Sequence, residues 1–275
     1  MPAGVMLYTS IQRLEGLTKP ADYGAGIQDG NYLLEKYPQA VVQLGLYLVD
    51  ALEDVAAGKY DEHIARLGEW IKKADRPVYL RIGYEFDYSQ NHYEPKKYMA
   101  AFRYIVDYLR RENVNNVSFV WHSYAGYVQG YRTDWYPGDN YVDWFAISFF
   151  DAYNRANMEG MARLAEEHQK PFMIAEAMPK GLRVSDGEKV WKRWFKKFFE
   201  FIHAHNVKIV CYINWDWDDQ PMFKGQNWGD ARIESNQLIK ERWLEEINGI
   251  KYFQTSEGLG QSFETVPSLF LKSLA

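Results

Sequence analysis

From about residue 78 onward, hydrophobic and polar positions follow two alternating patterns along the chain. Short apolar runs rich in β-branched and aromatic residues are separated by longer stretches with helical apolar spacing, which is typical of βα units around a parallel sheet. The runs are apolar on both faces, as strands buried in a parallel sheet are. Five strands are predicted in this way: VYLRIGYEF (78–86), VSFVWHS (117–123), VDWFAISFF (142–150), FMIAEA (172–177) and KIVCYINW (208–215).

The stretches between these strands predict amphipathic helices. Pro95 suits the first turn of a helix whose apolar residues then recur at helical spacing as far as Leu109. Ser185 and Glu188 have the spacing of a capping box before the apolar positions of 190–202. Two more helices are expected, near residues 158–168 and 233–248.

Upstream of residue 78 the same pattern continues less clearly. VMLYTSI (5–11) and VVQLGLYLV (41–49) predict two strands, and a glycine-interrupted segment near Tyr23–Gln28 is assigned to a strand between them. On this count the strand at 78–86 is the fourth and the strand at 172–177 is the seventh. Because 275 residues is also close to the usual length of one (β/α)8 barrel, we predict the α/β class and a single (β/α)8 TIM-barrel domain over residues 1–275.

Charge and cysteine content exclude several classes of partner. The formal net charge of -5, with no long Lys/Arg run, argues against nucleic acid or an anionic membrane surface. No apolar segment approaches the length of about 18 residues that a transmembrane helix needs. The only cysteine, Cys211, lies in the apolar run IVCYI and is expected to be a buried core thiol, which leaves no internal disulfide or Cys-rich zinc site. We predict a monomer without cofactor or metal.

The location of the protein stays open on the sequence alone. The first residues, MPAGVMLYTS, lack the charged and apolar regions of a signal peptide. A leader that had already been removed would leave no trace, and in that case a secreted or periplasmic location is favoured.

Aromatic residues are unusually frequent, at 17% of the chain with 10 Trp, 21 Tyr and 15 Phe. Some of them must form the core, but many fall at predicted strand ends and in loops. An amphipathic ring in such a position suits a partner with alternating apolar and hydroxylated faces, and a sugar ring is such a partner. These strand-end and loop rings include Tyr124, Trp215, Trp217 and Trp228.

Two glutamates end predicted strands. In a (β/α)8 barrel the C-terminal strand ends face the active site, so a polar residue that terminates an apolar strand is a candidate for chemistry. Glu85 ends VYLRIGYEF and Glu176 ends FMIAEA. Either one alone would be explained by a buried ion pair with a neighbour such as Arg81. Two glutamates at the fourth and seventh strand ends would lie across one barrel mouth, and the pair therefore predicts a functional site.

Paired carboxyl groups suit the cleavage of glycosidic bonds. One carboxyl group must protonate the departing oxygen while the other stabilises or attacks the developing oxocarbenium carbon. The acid needs a pKa raised by burial and by the second negative charge, whereas hydrogen bonds must keep the nucleophile ionised. A separation of about 5–5.5 Å would give a retaining mechanism through a covalent glycosyl-enzyme.

The sequence resembles the clan of retaining glycosidases that carry the acid/base on strand four and the nucleophile on strand seven, and within this clan it is similar to glycoside hydrolase family 26. The resemblance implies a β-glycanase, as β-mannanases, β-1,3-xylanases and mixed-linkage β-glucanases are. It covers the chain from about residue 76 to 248 and rests on RPVYLRIGYEF, FVWHS, WYPGDNYVDWFAIS, KPFMIAEA and WGDARIESNQLIKERWLEEI.

By motif position, the resemblance assigns the acid/base to Glu85 and the nucleophile to Glu176. The chain departs from the family at two places. Tyr84 stands where family 26 typically has His and related families have Asn. The predicted sixth strand ends with Phe149-Phe150, where the family usually has a Tyr bonded to the nucleophile, and Tyr153 is then the nearest hydroxyl in the sequence.

Neighbouring strand ends supply candidate contacts to the substrate. His122 is expected to hydrogen-bond a sugar hydroxyl or the nucleophile, unless it only caps the barrel rim. Trp215, which ends the eighth predicted strand beside Asn214, is expected to form an aromatic floor under the sugar. The candidate substrate-binding residues are Tyr84, His122, Tyr124, Phe150, Tyr153, Trp215 and Trp217.

Several other residues are assigned structural roles. Arg81 would share a strand face with Glu85 and is expected to be an internal ion-pair partner, while Trp121 would point into the core. The acidic run DWDD (216–219) lacks a calcium-loop pattern and is interpreted as a solvated loop or a sugar-contacting rim. Asp143 is expected to form a hydrogen bond between strands.

Two functions are compatible with the sequence. The first is a retaining, endo-acting β-glycan hydrolase of the β-mannanase, β-1,3-xylanase or β-glucanase type, and the second is a carbohydrate-binding barrel that has lost catalysis. Both glutamates are present, which favours the enzyme. Acyl and phosphoryl transfer find no support, since neither G-x-S-x-G nor a P-loop occurs. The net charge of -5 disfavours a heavily sulfated glycan unless one local basic pocket reverses it.

Overall fold

The structure, a computed structural model, describes residues 3–24, 26–126, 132–248, 252–253 and 268–272. The strands are β1 (Gly4–Ser10), β2 (Ala21–Asp22), β3 (Ile27–Gln28), β4 (Val41–Tyr47), β5 (Val78–Ile82), β6 (Val117–Ser123), β7 (Trp144–Phe149), β8 (Phe172–Ala177), β9 (Ile209–Tyr212), β10 (Tyr252–Phe253) and β11 (Ser268–Lys272). The α-helices are α1 (Gly30–Lys36), α2 (Leu52–Ala56), α3 (Asp61–Ala74), α4 (Pro95–Arg111), α5 (Arg155–Glu167), α6 (Glu188–Val190), α7 (Lys196–Ala204) and α8 (Gln237–Ile247). A π-helical segment, Trp191–Phe195, joins α6 to α7.

Seven parallel strands form a curled sheet in the order β1, β4, β5, β6, β7, β8 and β9. Helices α3, α4 and α5 lie between successive strands of this sheet and each bury one apolar face. Beyond β9, β11 pairs with it in parallel and also approaches β1, while β10 pairs with β11. The α/β class predicted from the sequence is confirmed.

The prediction of a sheet strand near Tyr23–Gln28 is wrong. Strands β2 and β3 pair with each other as a separate antiparallel ribbon, and β1 pairs directly with β4. Gly24 and Gly26 have φ values of 96° and 90°, and they reverse the chain within a few residues. A parallel crossover would need a dozen residues or more, so this segment is too short for one. Counted from β1, β5 is the third strand of the sheet and β8 the sixth.

Helix starts follow the sequence signals in one case and depart from them in another. Pro95 occupies the first turn of α4 as predicted, and the Glu94 side chain accepts hydrogen bonds from two backbone N–H groups of that turn. The prediction of a capping box formed by Ser185 and Glu188 is wrong. The residue before α6 is Gly187, which has a φ of 55° and no side chain to accept a hydrogen bond.

Several structural assignments are confirmed in the core. Trp121 and Cys211 are fully buried, and Trp121 stacks on Phe86 with 4.5 Å between ring centroids. The Asp143 carboxylate accepts the backbone N–H of Phe119 at 2.8 Å and so ties the start of β7 to β6. Within the described ranges, no helix combines the length and apolarity needed to cross a bilayer.

Candidate active site

An irregularity in β8 positions Glu176. Ile147 of β7 pairs with Ile174, but the next residue, Ser148, pairs with Glu176. Ala175 is therefore an extra residue in β8 that has no pairing partner in β7. Such a bulge leaves a backbone carbonyl without a partner in the sheet and re-aims the side chains beside it. The buried Gln43 side chain donates to the Ala175 carbonyl at 2.7 Å. Glu176 therefore lies opposite Ser148 because of the bulge.

The Glu176 carboxylate is held by a buried arginine. Arg81 of β5 has no exposed surface and forms an ion pair with Glu176, whose own exposure is 7%. The rings of Tyr8 and Tyr84 lie 5.1 Å and 5.0 Å from the guanidinium carbon, at cation–π distance. Burial lowers the pKa of Arg81, but the charge and hydrogen bond of Glu176, together with Tyr8 and Tyr84, more than offset this and raise it above the usual value. The internal ion pair predicted for Arg81 is thus confirmed.

Gly45 provides the space for this arrangement. It is the β4 partner of Arg81 in the sheet register. A Cβ atom at Gly45 would lie 2.8 Å from Arg81 Nη2, closer than real Cβ atoms approach other atoms, and a tight 3.0 Å from Tyr8 Cδ1. Any larger residue at this position would displace the arginine that holds Glu176.

Glu85 lies in a tight turn beyond β5. The strand ends at Ile82, so Glu85 follows it by three residues and does not share a strand face with Arg81. Glu85 adopts a φ of 52°, a left-handed conformation that is uncommon for residues with a side chain and recurs at functional sites. The Asn91 side chain donates to the Glu85 carbonyl at 3.0 Å, and the Tyr88 N–H donates to the same oxygen at 2.9 Å.

Asp87 fastens this turn to the end of β6. Its buried carboxylate accepts hydrogen bonds from the Ser123 hydroxyl at 2.7 Å and from the Tyr124 backbone N–H at 2.6 Å. It also forms an ion pair with Arg132 at 2.7 Å. These three contacts to one carboxylate tie the turn to the end of β6 and to Arg132.

A chain of hydrogen bonds links the two glutamates through the sheet interior. The imidazole of His122, fully buried, has Nδ1 3.2 Å from Arg81 Nη1 and Nε2 3.0 Å from the Ser148 hydroxyl. The Ser148 hydroxyl donates to Glu85 Oε1 at 2.5 Å. Burial and the Arg81 charge lower the pKa of His122 well below its usual value, so the ring is neutral.

The donor and acceptor directions of these hydrogen bonds fix the position of each proton. A guanidinium group can only donate, so His122 Nδ1 accepts from Arg81 and the ring proton lies on Nε2. The Nε2–H group then donates to Ser148, whose own hydroxyl proton is left for Glu85 Oε1. A protonated Glu85 therefore carries its acidic proton on Oε2, the oxygen that Ser148 does not contact.

Glu85 has a strongly raised pKa. Burial and the negative charge of Glu176 raise the pKa of Glu85 to about 8, and the hydrogen bond from Ser148 works in the opposite direction. Glu85 is thus largely protonated at neutral pH, whereas Glu176 has the Arg81 guanidinium as its partner. Paired carboxyl groups in such different surroundings can take different roles in catalysis.

Rings from several loops meet beside Glu85. Tyr124 lies 6.1 Å from Phe150, and Phe150 lies 6.0 Å from Trp228 between ring centroids. Trp228 in turn lies 5.2 Å from Trp217. Trp215 packs against the ribbon, because a Cβ atom on Gly26 would approach its ring to 2.8 Å. We call the connected rings the aromatic rim: Tyr88, Tyr124, Phe150, Trp217, Phe223 and Trp228.

The acidic run after β9 is engaged with arginines. Asp216 forms an ion pair with Arg232 at 2.8 Å, and Asp218 forms one with Arg183 at 2.7 Å. Asn214 also has a structural contact, since its side-chain oxygen accepts the backbone N–H of Ile233 at 2.8 Å. Among the residues that the structure describes, no group of three or more acidic, His or Cys side chains has the arrangement of a metal site.

Comparison with known proteins identifies the family. The model of glycosyl hydrolase family 26 matches residues 47–182, a range that includes Arg81, Glu85, His122, Ser148 and Glu176. The chain belongs to this family.

Two curated relatives of this family 26 chain are similar over almost all of it. A β-1,3-xylanase from Vibrio sp. is 32% identical over 94% of the chain and 62% of the relative. A β-1,3-xylanase from Alcaligenes sp. is 31% identical over 94% of the chain and 61% of the relative. The chain thus spans less than two thirds of the length of either protein.

A solved structure supports the fold independently. A GH26 β-mannanase from Bacteroides ovatus superposes with a TM-score of 0.63 at 15% identity, covering 86% of this chain and 76% of that one. At this level of identity the similarity concerns the fold.

Tyr153, the nearest hydroxyl after Phe149-Phe150 in the sequence, lies at the surface. Tyr153 is 69% exposed, and its ring lies under the Lys197 ammonium at 4.4 Å. Tyr8 of β1 lies beside Glu176 instead. Burial and the Glu176 charge raise the pKa of Tyr8 well above its usual value, so its hydroxyl stays protonated and can donate to the carboxylate.

The remaining site residues of this family 26 chain were not predicted. Ser148 and Gln43 are polar residues inside apolar strands, and Asp87 follows the YEF motif by one position. A polar residue in a strand that is buried on both faces is itself a signal, because burial without a hydrogen-bond partner is costly. That signal was available for Ser148 and Gln43, but the partners of each could not be identified.

Proposed function

We propose that this protein is a retaining, endo-acting β-glycan hydrolase with Glu85 as general acid/base and Glu176 as nucleophile. One observation carries the proposal: two carboxyl groups share one buried hydrogen-bond network, and only Glu176 has a cation as its direct partner. Membership of family 26 supports the same roles.

The geometry suggests how the two steps proceed. Glu85 gives the proton on Oε2 to the glycosidic oxygen while Glu176 attacks the anomeric carbon, so the leaving group departs neutral and a glycosyl-enzyme ester forms. Glu85, now ionised, takes a proton from water as that water attacks the anomeric carbon and releases Glu176. Ser148 keeps Oε1 occupied in both steps, and the proton is therefore always exchanged at Oε2.

We propose β-1,3-xylan as the first substrate to test. Both curated relatives described above are named β-1,3-xylanases, and each covers 94% of this chain in the alignment. Tyr124, Phe223 and Trp228 of the aromatic rim, together with Trp215, provide partly exposed ring surface for sugar faces, whereas Phe150 and Trp217 are buried. The other candidates, mannan and mixed-linkage β-glucan, belong in the same experiment.

We also propose that the chain forms one domain with a closed eight-stranded barrel, β11 lying between β9 and β1. The pairing of β11 with β9 and its approach to β1 support this closure. Counted from β11, β5 becomes the fourth strand and β8 the seventh. That order agrees with the family pattern of acid/base after strand four and nucleophile on strand seven.

Release of reducing ends from a glycan panel tests the proposal. The panel contains β-1,3-xylan, β-1,4-mannan, mixed-linkage β-glucan and laminarin, assayed with the wild type and with the variants Glu85→Gln and Glu176→Gln. We expect hydrolysis of at least one glycan by the wild type alone, with internal cleavage giving a range of oligosaccharides. Binding of a glycan without any hydrolysis would instead support the inactive carbohydrate-binding barrel.

The pH profile should report the pKa of Glu85. Because the general acid must be protonated and its pKa is raised to about 8, kcat/KM should fall as the pH rises through about 8. Replacing Ser148 by alanine removes a hydrogen bond that favours the ionised carboxylate, so the alkaline limb should move to higher pH.

The control for this prediction is Ser148→Thr, which retains the hydroxyl at the same position. We expect Ser148→Thr to keep the wild-type alkaline limb even if its larger side chain lowers kcat. An alkaline limb that moves to lower pH in Ser148→Ala, or moves equally in both variants, would show that Ser148 does not act on Glu85.

A further inference from the structure

A pocket of about 250 Å³ opens between the segments that follow β7 and β8. Phe150 and Trp194 contribute apolar surface to it, and Lys180 and Arg193 contribute positive charge. Phe150 also belongs to the aromatic rim. Lys180 is close enough to Glu85 for the two charges to interact. The pocket therefore adjoins the proposed catalytic acid.

Three cations surround this pocket without a carboxylate at ion-pair distance in the described part of the chain. The Lys180 ammonium lies 4.0 Å over the Trp228 ring, and the Lys197 ammonium lies 4.4 Å over the ring of Tyr153, which lines the pocket. Arg193 is the third, and its side chain is exposed. We call Lys180, Arg193 and Lys197 the cationic rim.

Other cations on the same helical stretch are paired. Lys189 lies 3.4 Å from Asp186, Lys192 lies 3.3 Å from Glu188, and Lys196 lies 4.0 Å from Glu200. These three lysines therefore have carboxylate partners, whereas Arg193 and Lys197 beside the pocket have none at ion-pair distance in the described part of the chain. This local excess of positive charge is opposite in sign to the net charge of -5 of the whole chain.

One carboxylate, that of Asp151, lines the pocket, and it already accepts the backbone N–H of Tyr153 at 2.9 Å. It is a single negative charge beside three positive ones. Burial lowers the pKa of Lys180, and the Glu85 and Asp151 charges only partly offset this. A second anion in the pocket would favour the charged ammonium.

We propose that this pocket binds an oxyanion carried by the glycan, either a uronate carboxylate or a sulfate ester, on a sugar next to the cleaved bond. This inference rests on the proposed function and narrows its substrate class to glycans with anionic substituents. The oxyanion would accept charge-assisted hydrogen bonds from Lys180 and Arg193, with Lys197 adding attraction at longer range. The rest of the sugar would lie against Phe150.

Binding to an inactive variant tests the inference on affinity rather than on reaction rate. Oligosaccharides of the glycan that the wild type cleaves best are compared in three forms: neutral, carrying a glucuronic acid branch, and carrying a sulfate ester. Affinities are measured by titration calorimetry with Glu176→Ala. We expect at least one acidic form to bind about tenfold more tightly than the neutral form at low ionic strength, with the difference shrinking in salt.

The control uses two double variants of the same helical stretch. In Arg193→Gln/Lys197→Gln the difference between acidic and neutral forms should disappear. In Lys192→Gln/Lys196→Gln, which removes the same charge from paired positions, the difference should persist. A difference seen with only one acidic form identifies the anion as carboxylate or sulfate.

Two outcomes would overturn the inference while leaving the proposed function intact. The first is equal affinity for neutral and acidic forms, and the second is the same loss of preference in both double variants. A wild type that hydrolyses no glycan in the panel would count against the proposed function itself, so the two failures are distinguishable.

Discussion

Glu176→Ala should lower turnover of the preferred glycan by about 10⁴-fold or more, the largest effect that we expect from any single substitution. Without the carboxylate no glycosyl-enzyme ester forms, and Arg81 is left buried without its anionic partner. Residual activity should not depend strongly on the leaving group, because the missing group is the nucleophile rather than the acid. Initial rates on the polysaccharide and on an aryl glycoside measure both effects.

Azide provides a positive control for Glu176→Ala. The small anion can enter the space left by the carboxylate and attack the anomeric carbon from the same side, so a β-glycoside should give an α-glycosyl azide. A variant that retains wild-type turnover would contradict the assignment. Glu62→Ala removes an exposed glutamate from α3 and should behave as the wild type.

Glu85→Ala should lower kcat/KM for the polysaccharide by roughly 10²- to 10⁴-fold, the range that general acid catalysis contributes. The loss should depend on the leaving group. A dinitrophenyl glycoside departs without protonation, so the first step should remain fast and the glycosyl-enzyme should accumulate as a burst. The alkaline limb near pH 8 should also disappear, since it reports the missing carboxyl group.

Azide distinguishes the two carboxyl groups by stereochemistry. In Glu85→Ala it should attack the glycosyl-enzyme from the side of the missing acid/base and give a β-glycosyl azide from a β-glycoside. An equal loss of activity on substrates with good and poor leaving groups, without a burst, would show that Glu85 is not the general acid. Thermal unfolding of each variant checks that the fold is retained.

The sequence predicted those parts of the site that follow from strand periodicity. The apolar runs that end at His122 and Glu176 are buried strands in the structure, and a polar residue at the end of such a run is a strong signal. Glu85 was also identified, although it lies in a turn beyond Ile82. Apart from Arg81, the run from Val78 to Tyr84 has no charged residue, so the pattern could not separate strand from turn.

Contacts between distant strands could not be predicted in the same way. The bulge at Ala175 depends on how β7 and β8 pair and on a hydrogen bond from Gln43, which is 132 residues away in the sequence. The position of Tyr8 beside Glu176 likewise depends on β1 lying near β8 in space. Local propensity carries no information on such long-range pairing, and the same reason explains why the ribbon near Gly24 was assigned to the sheet.

Labelling with a mechanism-based inactivator is the most direct test of the central claim that Glu176 is the nucleophile of a retaining enzyme. A 2-deoxy-2-fluoro glycoside with a good leaving group forms the glycosyl-enzyme but slows its hydrolysis, and peptide mass spectrometry locates the sugar. We predict one adduct per chain, on the peptide that contains Glu176, and none in Glu176→Gln. A label on any other residue, or hydrolysis products with inverted anomeric configuration, would contradict the mechanism.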